Sequence, residues 1–497
     1  AQTILPANTL SSGYDVANSY MFGGDANTSI TNTTPTNTKI FTISLWIKLH
    51  EFPTSGGDRI IYGYYSADNT QSYLYLRNDF TLGFYEVDSG TSKIDFRTTQ
   101  FFRDPTAWYH IVVAIDTSQG TDTNRFKLYV NGSQVSAFNA NSYPDQNYAS
   151  MLNENSLAFN VGGTGFSSDK IHASICEFVF IDGSQLAPTS FGEFDSDTPN
   201  TWKPKSVSGL TFGNNGFYLE FKATGTSANS SGAGADTSGN DRHHSVTNLA
   251  AADQRVDTCT NNFATLNPLE RSPNSITFTD GNTTASGTSG NSGRFTGGTY
   301  SPRKGKWWCE LKVTVSGSYP IFGAIDADSN MKFDGTYFVG SESAPYQSGF
   351  AAFSNADVYH NDDNNYGNWQ TYSTNDIIGM GIDMDASPPT LTFVKNGSNE
   401  ETFNMETPNR FAIGNTLTLA YRRNKFQSFT INATSATIDG SFMKFIENNQ
   451  PHSRKGTIVE QFSHKHAIGQ INDLSLMGNL TVKAHLISNF VADLDSK

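Results

Sequence analysis

Apolar and polar residues alternate strictly along short stretches of this chain, and turn residues break the alternation before any helical period can build. In the run 41–48, Phe41, Ile43, Leu45 and Ile47 share one face, while Thr42, Ser44, Trp46 and Lys48 share the other. A period of two is the signature of a half-buried strand. Phe126, Leu128 and Val130 alternate likewise, meet Asn131-Gly132, and give way to a short run at 135–138. Asn-Gly between alternating runs predicts a hairpin, because both central residues of its tight turn need positive φ. Further strands are expected at 72–76, 108–115, 157–161, 174–181 and 217–221. In 307–315, Trp307, Cys309, Leu311, Val313 and Val315 alternate with polar neighbours. The run 377–384 is almost continuously apolar, and 391–395 ends in a second Asn-Gly turn at Asn396-Gly397. Many short strands joined by polar turns predict antiparallel sandwiches. The fold class is therefore all-β.

Composition agrees. Only 16% of the 497 residues are charged and 13% are aromatic, with 43 glycines, a balance that favours strands and turns and argues against disorder. The net charge of −14 speaks against nucleic acid or an anionic membrane face as partner. No apolar run approaches the ~20 residues of a membrane helix. The opening AQTILPANTL has neither a basic nor an apolar leader region, so no signal peptide is expected. Cys176, Cys259 and Cys309 are odd in number and widely spaced, which suits buried thiols folded in a reducing compartment rather than a disulfide framework.

Composition also suggests the divisions. Residues 1–222 read as one sandwich and 299–440 as a second. Residues 223–298, rich in Gly, Ser, Asn and Asp, read as a connecting segment and linker. From 441 to 497 the pattern changes to a possible helical turn, a basic His-containing patch and short apolar runs, too few for a core of their own. This tail is expected to pack against another chain or another copy.

Several families resemble these segments. FTISLWIK (41–48), AWYHIVVAIDTS (107–118), RFKLYVNG (125–132) and IHASICEFVFIDG (171–183) resemble a laminin-G or pentraxin-type domain of the concanavalin A-like lectin/glucanase superfamily. SQLAPTSFGEFD (184–195), NNGFYLEF (214–221), DTSGND (236–241) and DTCTNNFATLNP (257–268) resemble a block that recurs in virion proteins of tailed bacteriophages. GKWWCELKV (305–313) and DIIGMGIDMDASPPTLTFVKNG (376–397) resemble a SPRY domain. In the tail, residues 464–474 are similar to an H-x-H-x-I-x-x-I-x-x-L segment of phage tail fibres, and 478–482 to repeats of trimeric fibre shafts. The resemblances imply a non-enzymatic fibre or appendage subunit of a phage virion, a homotrimer assembled in the host cytoplasm. Its partners would be other virion proteins and a host-surface glycan or protein. A secreted or surface-displayed bacterial adhesin is the alternative, and a degraded glycosidase a third reading.

Candidate chemistry is sparse. Tyr359, Asn361, Asp363, Tyr366, Trp369 and Tyr372 combine rings that stack on sugars with amides and carboxylates that fix hydroxyls; the same rings could instead cap sandwich edges. Tyr62, Tyr64, Tyr65 and Tyr73 form a similar group. Asp326, Asp328 and Asn330 alternate like the opening of a calcium loop, although Met331 and Tyr337 break that pattern. Asp357, Asp362 and Asp363 make a second acidic cluster. Asp116, Asp182 and Asp195 could contribute to the calcium site that the laminin-G resemblance implies. His464 and His466, two apart, would face one side of an extended trimer segment and could hold a transition metal, as some of the similar fibre motifs do. Otherwise no cofactor is expected. Glu193, Asp195 and Asp197 approximate the spaced carboxylates of glucanases, but follow a turn rather than lie mid-strand. His243-His244 reads as a pair of surface histidines.

Overall fold

The computed structural model describes residues 13–52, 57–164, 170–271, 276–287, 294–299, 306–315, 321–326, 349–360, 363–404, 426–431 and 437–439. The chain divides into two compact units, Ala1–Asn262 and Phe263–Lys497. Both are built from antiparallel strands, with no α-helix among the described residues.

The first unit packs two eight-stranded sheets face to face. One runs Ser133–Gln134, Phe126–Val130, Trp108–Asp116, Ile40–Leu49, His172–Asp182, Ser19–Gly23 and Gln254–Arg255, with Phe217–Leu219 also paired to His172–Asp182. The other runs Phe138–Ser142, Thr91–Phe101, Thr81–Asp88, Thr70–Leu76, Arg59–Ala67, Ala158–Val161, Asn27–Thr31 and Ser245–Thr247. The alternation in 41–48 works as expected on its inner side. Phe41, Ile43, Leu45 and Ile47 enter a core shared with Phe84, Leu74 and Phe96 of the facing sheet. The rings of Phe96 and Phe126 stack across the sheets at 4.0 Å.

The other face of that strand is not solvated, contrary to the half-buried reading. Thr42, Ser44, Trp46 and Lys48 are all buried. Trp202, Cys259 and Val16 cover Trp46, while Phe191, Val207 and Tyr218 cover Val179 and Ile181. The polar positions are matched one by one: Thr42 Oγ1 donates to the Ser184 carbonyl at 2.8 Å, and Lys48 Nζ pairs with Asp257 at 2.8 Å. Burying an ammonium without such a partner is prohibitive.

The expected linker 223–298 is corrected. Ser245–Thr247 and Gln254–Arg255 extend the first unit's sheets, and Ala233 and Leu249 enter its core. Asp236 also ties this stretch down, accepting from the backbone N–H of Tyr218, Ser238 and Arg242. Residues 266–298 belong to the second unit, where Leu266–Arg271, Ile276–Thr279, Thr284–Gly287 and Arg294–Gly298 are strands. Edge hairpins rich in Thr, Ser and Gly satisfy their backbone as well as apolar strands do, so composition marks them wrongly as loop.

Both Asn-Gly pairs turn as expected, with Asn131, Gly132, Asn396 and Gly397 all at positive φ. The first hairpin is shorter than its sequence suggests. Only Ser133–Gln134 pairs back, and the chain then crosses to the facing sheet as Phe138–Ser142.

The second unit has two seven-stranded sheets. One contains Lys306–Val315, Ile377–Asp383 and Thr390–Lys395 in consecutive pairing, and the other contains Ile321–Asp326, Gly349–Phe353, Asn355–His360 and Asp363–Thr371. Cys309, Leu311, Val313, Met380 and Phe393 lie in its core. The tail 441–497 lies outside the described residues.

Candidate functional site

The loop singled out for glycan binding in the second unit is corrected. It is a strand pair, Asn355–His360 against Asp363–Thr371, with Trp369 turned inward on the second strand and Tyr372 turned inward just after that strand ends. Trp369 and Tyr372 lie in the core, with centroids 5.4 Å (Trp369 to Phe393) and 6.0 Å (Trp369 to Tyr372) apart, and the Tyr372 hydroxyl donates to the Ala352 carbonyl at 2.8 Å. Neither can stack on a ligand. Tyr359 is half-buried against Phe353, at 4.3 Å between centroids. Asp363 and Tyr366 fall on the paired strand, and Asn361 lies outside the described residues.

No calcium site assembles from the described carboxylates. Asp326 ends a strand, while Asp328, Asn330, His464 and His466 lie outside the described residues. Among the described residues no three His, Cys, Asp or Glu side chains cluster to hold a metal. Asp116, Asp182 and Asp195 form no common cluster, and each is engaged with different partners. Asp182 accepts from the backbone N–H of Thr36, Asn37 and Asn215 and from Asn153 Nδ2. Asp116 accepts from Ser118 and Gln119, and Asp195 from the backbone of Asp197 and Thr198. Glu193 and Asp195 both face Lys203 Nζ, at 3.6 and 3.1 Å.

His244 is fully buried rather than exposed. Its Nδ1 bonds Thr28 Oγ1 at 2.9 Å, its ring meets Phe217 edge-on, and burial lowers its pKa to about 3. His110 is held similarly. Trp202 Nε1 donates to its Nδ1 at 2.9 Å, so Nε2 carries the proton and donates to Ser44 Oγ at 2.9 Å. Stacked between Trp46 and Trp202, it too is lowered to about 3 by burial.

The second sheet of the first unit offers a different surface. Cross-strand partners project to the same side of a sheet, and register aligns one row across all eight strands. In order it is Ser142, Asp95, Tyr85, Tyr73, Gly63, Asn160, Ser29 and Ser245. The adjacent row, Phe96, Phe84, Leu74, Tyr62 and Val161, fills the core, so the first row faces away from it. Tyr73 and Tyr85 are half-buried, with centroids 5.9 Å apart, and Tyr73 meets Tyr75 edge-on at 5.2 Å. Arg97 on the next row approaches Asp95, Nε to Oδ1, at 3.7 Å.

Two glycines shape this face. A Cβ on Gly63 would stand 2.4 Å from the Ser72 carbonyl, and one on Gly83 would stand 2.4 Å from the Tyr75 ring. Tyr75 thus lies flat across the strand bearing Gly83. Burial, with Asp58 and Asp95 nearby, raises its hydroxyl pKa, so it remains a donor. The result is a pair of half-buried rings, Tyr73 and Tyr85, backed by the buried Tyr75 and flanked by a carboxylate and a guanidinium, while Asn160 is buried and its Nδ2 donates to the Gly63 carbonyl at 3.3 Å. Such a surface stacks on an apolar ring face and bonds its hydroxyl rim.

Glu177 is a carboxyl raised to near neutrality. It sits at the bulge between Cys176 and Val179, with φ of 51°. Burial pushes it up to about 7 against hydrogen bonds from Tyr218 and Tyr14 that favour the carboxylate. The Tyr218 hydroxyl bonds Glu177 and also Tyr14, the latter at 2.8 Å. Raised carboxyls often mark catalytic acids, but this one is buried beneath two phenols.

Residues 22–184 match the Laminin_G_3 family, described as Concanavalin A-like lectin/glucanases superfamily. This part of the first unit is thus similar to concanavalin A-like domains. Among solved structures the chain is similar to the SPRY domain of human HERC1, at 11% identity over 37% of this chain and 99% of that one, TM-score 0.26. It is similar to a putative carbohydrate binding protein from Bacteroides ovatus, at 13% identity over 49% of this chain and 61% of that one, TM-score 0.33. It is also similar to a pentraxin from Limulus polyphemus, at 14% identity over 35% of this chain and 80% of that one, TM-score 0.26. No curated protein sequence matches the chain.

Proposed function

We propose that this chain is a non-enzymatic, lectin-like attachment protein whose first unit binds glycan across the outward row of its second sheet. The carrying observation is the alignment of Asp95, Tyr85, Tyr73, Gly63 and Asn160 on one face, with Tyr75 and Arg97 beside them. A pyranose lying on Tyr73 and Tyr85 would find hydroxyl partners in Asp95 and in Arg97 beside it. Non-enzymatic binding is supported by the pairing of Glu193 and Asp195 with Lys203 and by the burial of Glu177.

The setting proposed for it is a tailed-phage virion, as a homotrimeric fibre or appendage subunit with other virion proteins as neighbours. The support is the sequence resemblance of 184–195, 214–221, 236–241 and 257–268 to phage virion blocks, and of 464–474 to fibre motifs.

The test of binding is a glycan array with the full chain, followed by calorimetry on any hit. Tyr73→Ala and Tyr85→Ala should each weaken binding about tenfold, the worth of one aromatic contact, with folding unchanged. Binding that survives both substitutions, or no glycan bound at all, rejects this face. For the setting, a solution mass near three times 54.3 kDa is expected, and deleting 441–497 should dissolve the oligomer; a full-length monomer, or an oligomeric mass unchanged by the deletion, counts against it.

A further inference from the structure

Cys176 and Cys259 lie 83 positions apart in sequence, yet their sulfurs are 3.8 Å apart, both fully buried. Both are free thiols, while Cys309 lies in the core of the second unit. Cys176 belongs to the strand His172–Asp182, immediately before the bulge. Cys259 belongs to the last segment of the first unit, where Thr258 and Asn261 bridge. That segment is anchored on both sides of the thiol. Before it, Asp257 pairs with Lys48 and accepts from Trp108 Nε1 at 3.0 Å. After it, Asn262 accepts from Lys48 Nζ at 2.7 Å and donates to the Thr106 carbonyl at 2.6 Å. The anchors hold one sulfur against the other inside a shell of Val16, Trp46, Trp108 and Trp202.

We propose that Cys176 and Cys259 are a redox pair that closes to a disulfide in an oxidising medium, stapling the end of the first unit to its central sheet. Bond formation asks each sulfur to move about 1 Å towards a ~2.05 Å bond. The oxidant is a small disulfide such as oxidised glutathione. One cysteine thiolate attacks it and releases one glutathione thiolate; the second cysteine then attacks the mixed disulfide and releases the other. Two protein thiols are oxidised and one glutathione disulfide is reduced to two thiols. Burial raises both thiols, so in the folded protein the exchange is slow and runs through opening of the 256–262 segment. During folding it is fast. The staple is independent of glycan binding, since it lies on the first sheet and the Tyr73 row lies on the second.

The test uses the full chain, unfolded and refolded in a glutathione redox buffer. The expected thiol count under denaturing conditions is one, down from three under reducing conditions, with peptide mass spectrometry joining Cys176 to Cys259. The first unit should then melt on the order of 10 °C higher than its reduced form, because the loop is long, and dithiothreitol should abolish the gain. In Cys309→Ala the count should fall from two to none. Three remaining thiols, a link that includes Cys309, or an oxidised form that melts no higher than the reduced one would each overturn the proposal.

Discussion

Replacing Glu177 by Gln isolates the cost of keeping a carboxyl beneath two phenols. The unfolded chain ionises this group near its ordinary 4.5, whereas the folded chain holds the proton up to about 7 because burial disfavours the charge. Between those values the unfolded state releases a proton that the folded state keeps. Stability is therefore fully present below about 4.5 and is lost as pH rises, the loss being complete above about 7. The difference corresponds to roughly 3 kcal/mol. Gln keeps the shape, accepts from Tyr218 and never ionises. Glu177→Gln should therefore gain up to roughly 3 kcal/mol over the parent at pH 8 and little or nothing at pH 4.5. Scanning calorimetry of the full chain at several pH values, following the transition that the substitution moves, measures this. A variant offset that stays constant from pH 4.5 to 8 would refute the reasoning, because Tyr218 and Tyr14 would then be holding a carboxylate at every pH. The distinction bears on function, since a carboxyl near neutrality invites a catalytic reading that this test can replace with a structural one.

The buried histidines run the opposite way. His110 and His244 are both held near 3 by burial, so the stability they contribute is present above about 6.5 and is lost as pH falls, by roughly 2 kcal/mol each at pH 5. His110→Gln should shrink the pH 5 to pH 7 stability difference by about that amount, and an unchanged difference would exclude His110 as its source. Asp257→Ala leaves the fully buried Lys48 ammonium without its ion pair and should cost about 3 kcal/mol; adding Lys48→Met should recover most of it in a denaturant titration. Gly63→Ala forces a Cβ to within 2.4 Å of the Ser72 carbonyl, and should lower stability by about 1–3 kcal/mol with loss of glycan binding, whereas an undisturbed melting temperature would mean that the two strands can part there.

Much of the second unit's misreading has a single cause. Trp369 and Tyr372 stand among Asn, Gly and Thr, so local composition presents them as loop aromatics. Strand pairing turned Trp369 into the core and the Ala352 carbonyl anchors Tyr372 there after the strand ends, and no residue near them in sequence signals that direction. His244 was misread in the same way, because its partners Thr28 and Phe217 are distant in sequence. Lys48 and Trp46 occupy the polar phase of an alternating strand, and only the covering segment from Ser184 to Asn262 reveals that this phase is buried too. The Tyr73–Tyr85 strip is half legible in the sequence, since Tyr62, Tyr64, Tyr65 and Tyr73 cluster there. Alternation alone could have separated them, because Tyr62 falls in the core phase and Tyr73 in the opposite one.

Local sequence is enough for the strands, the Asn-Gly turns and the all-β class, because side-chain period and positive φ are local properties that neighbours a few residues apart enforce. It also carried the likeness of its first part to concanavalin A-like domains. Tertiary structure alone decided which carboxylates meet a cation, which thiols meet each other, and which tyrosines share a face with Asp95. Those facts depend on register between strands far apart in the chain, and register is fixed by the summed packing of a whole sheet rather than by any segment within it.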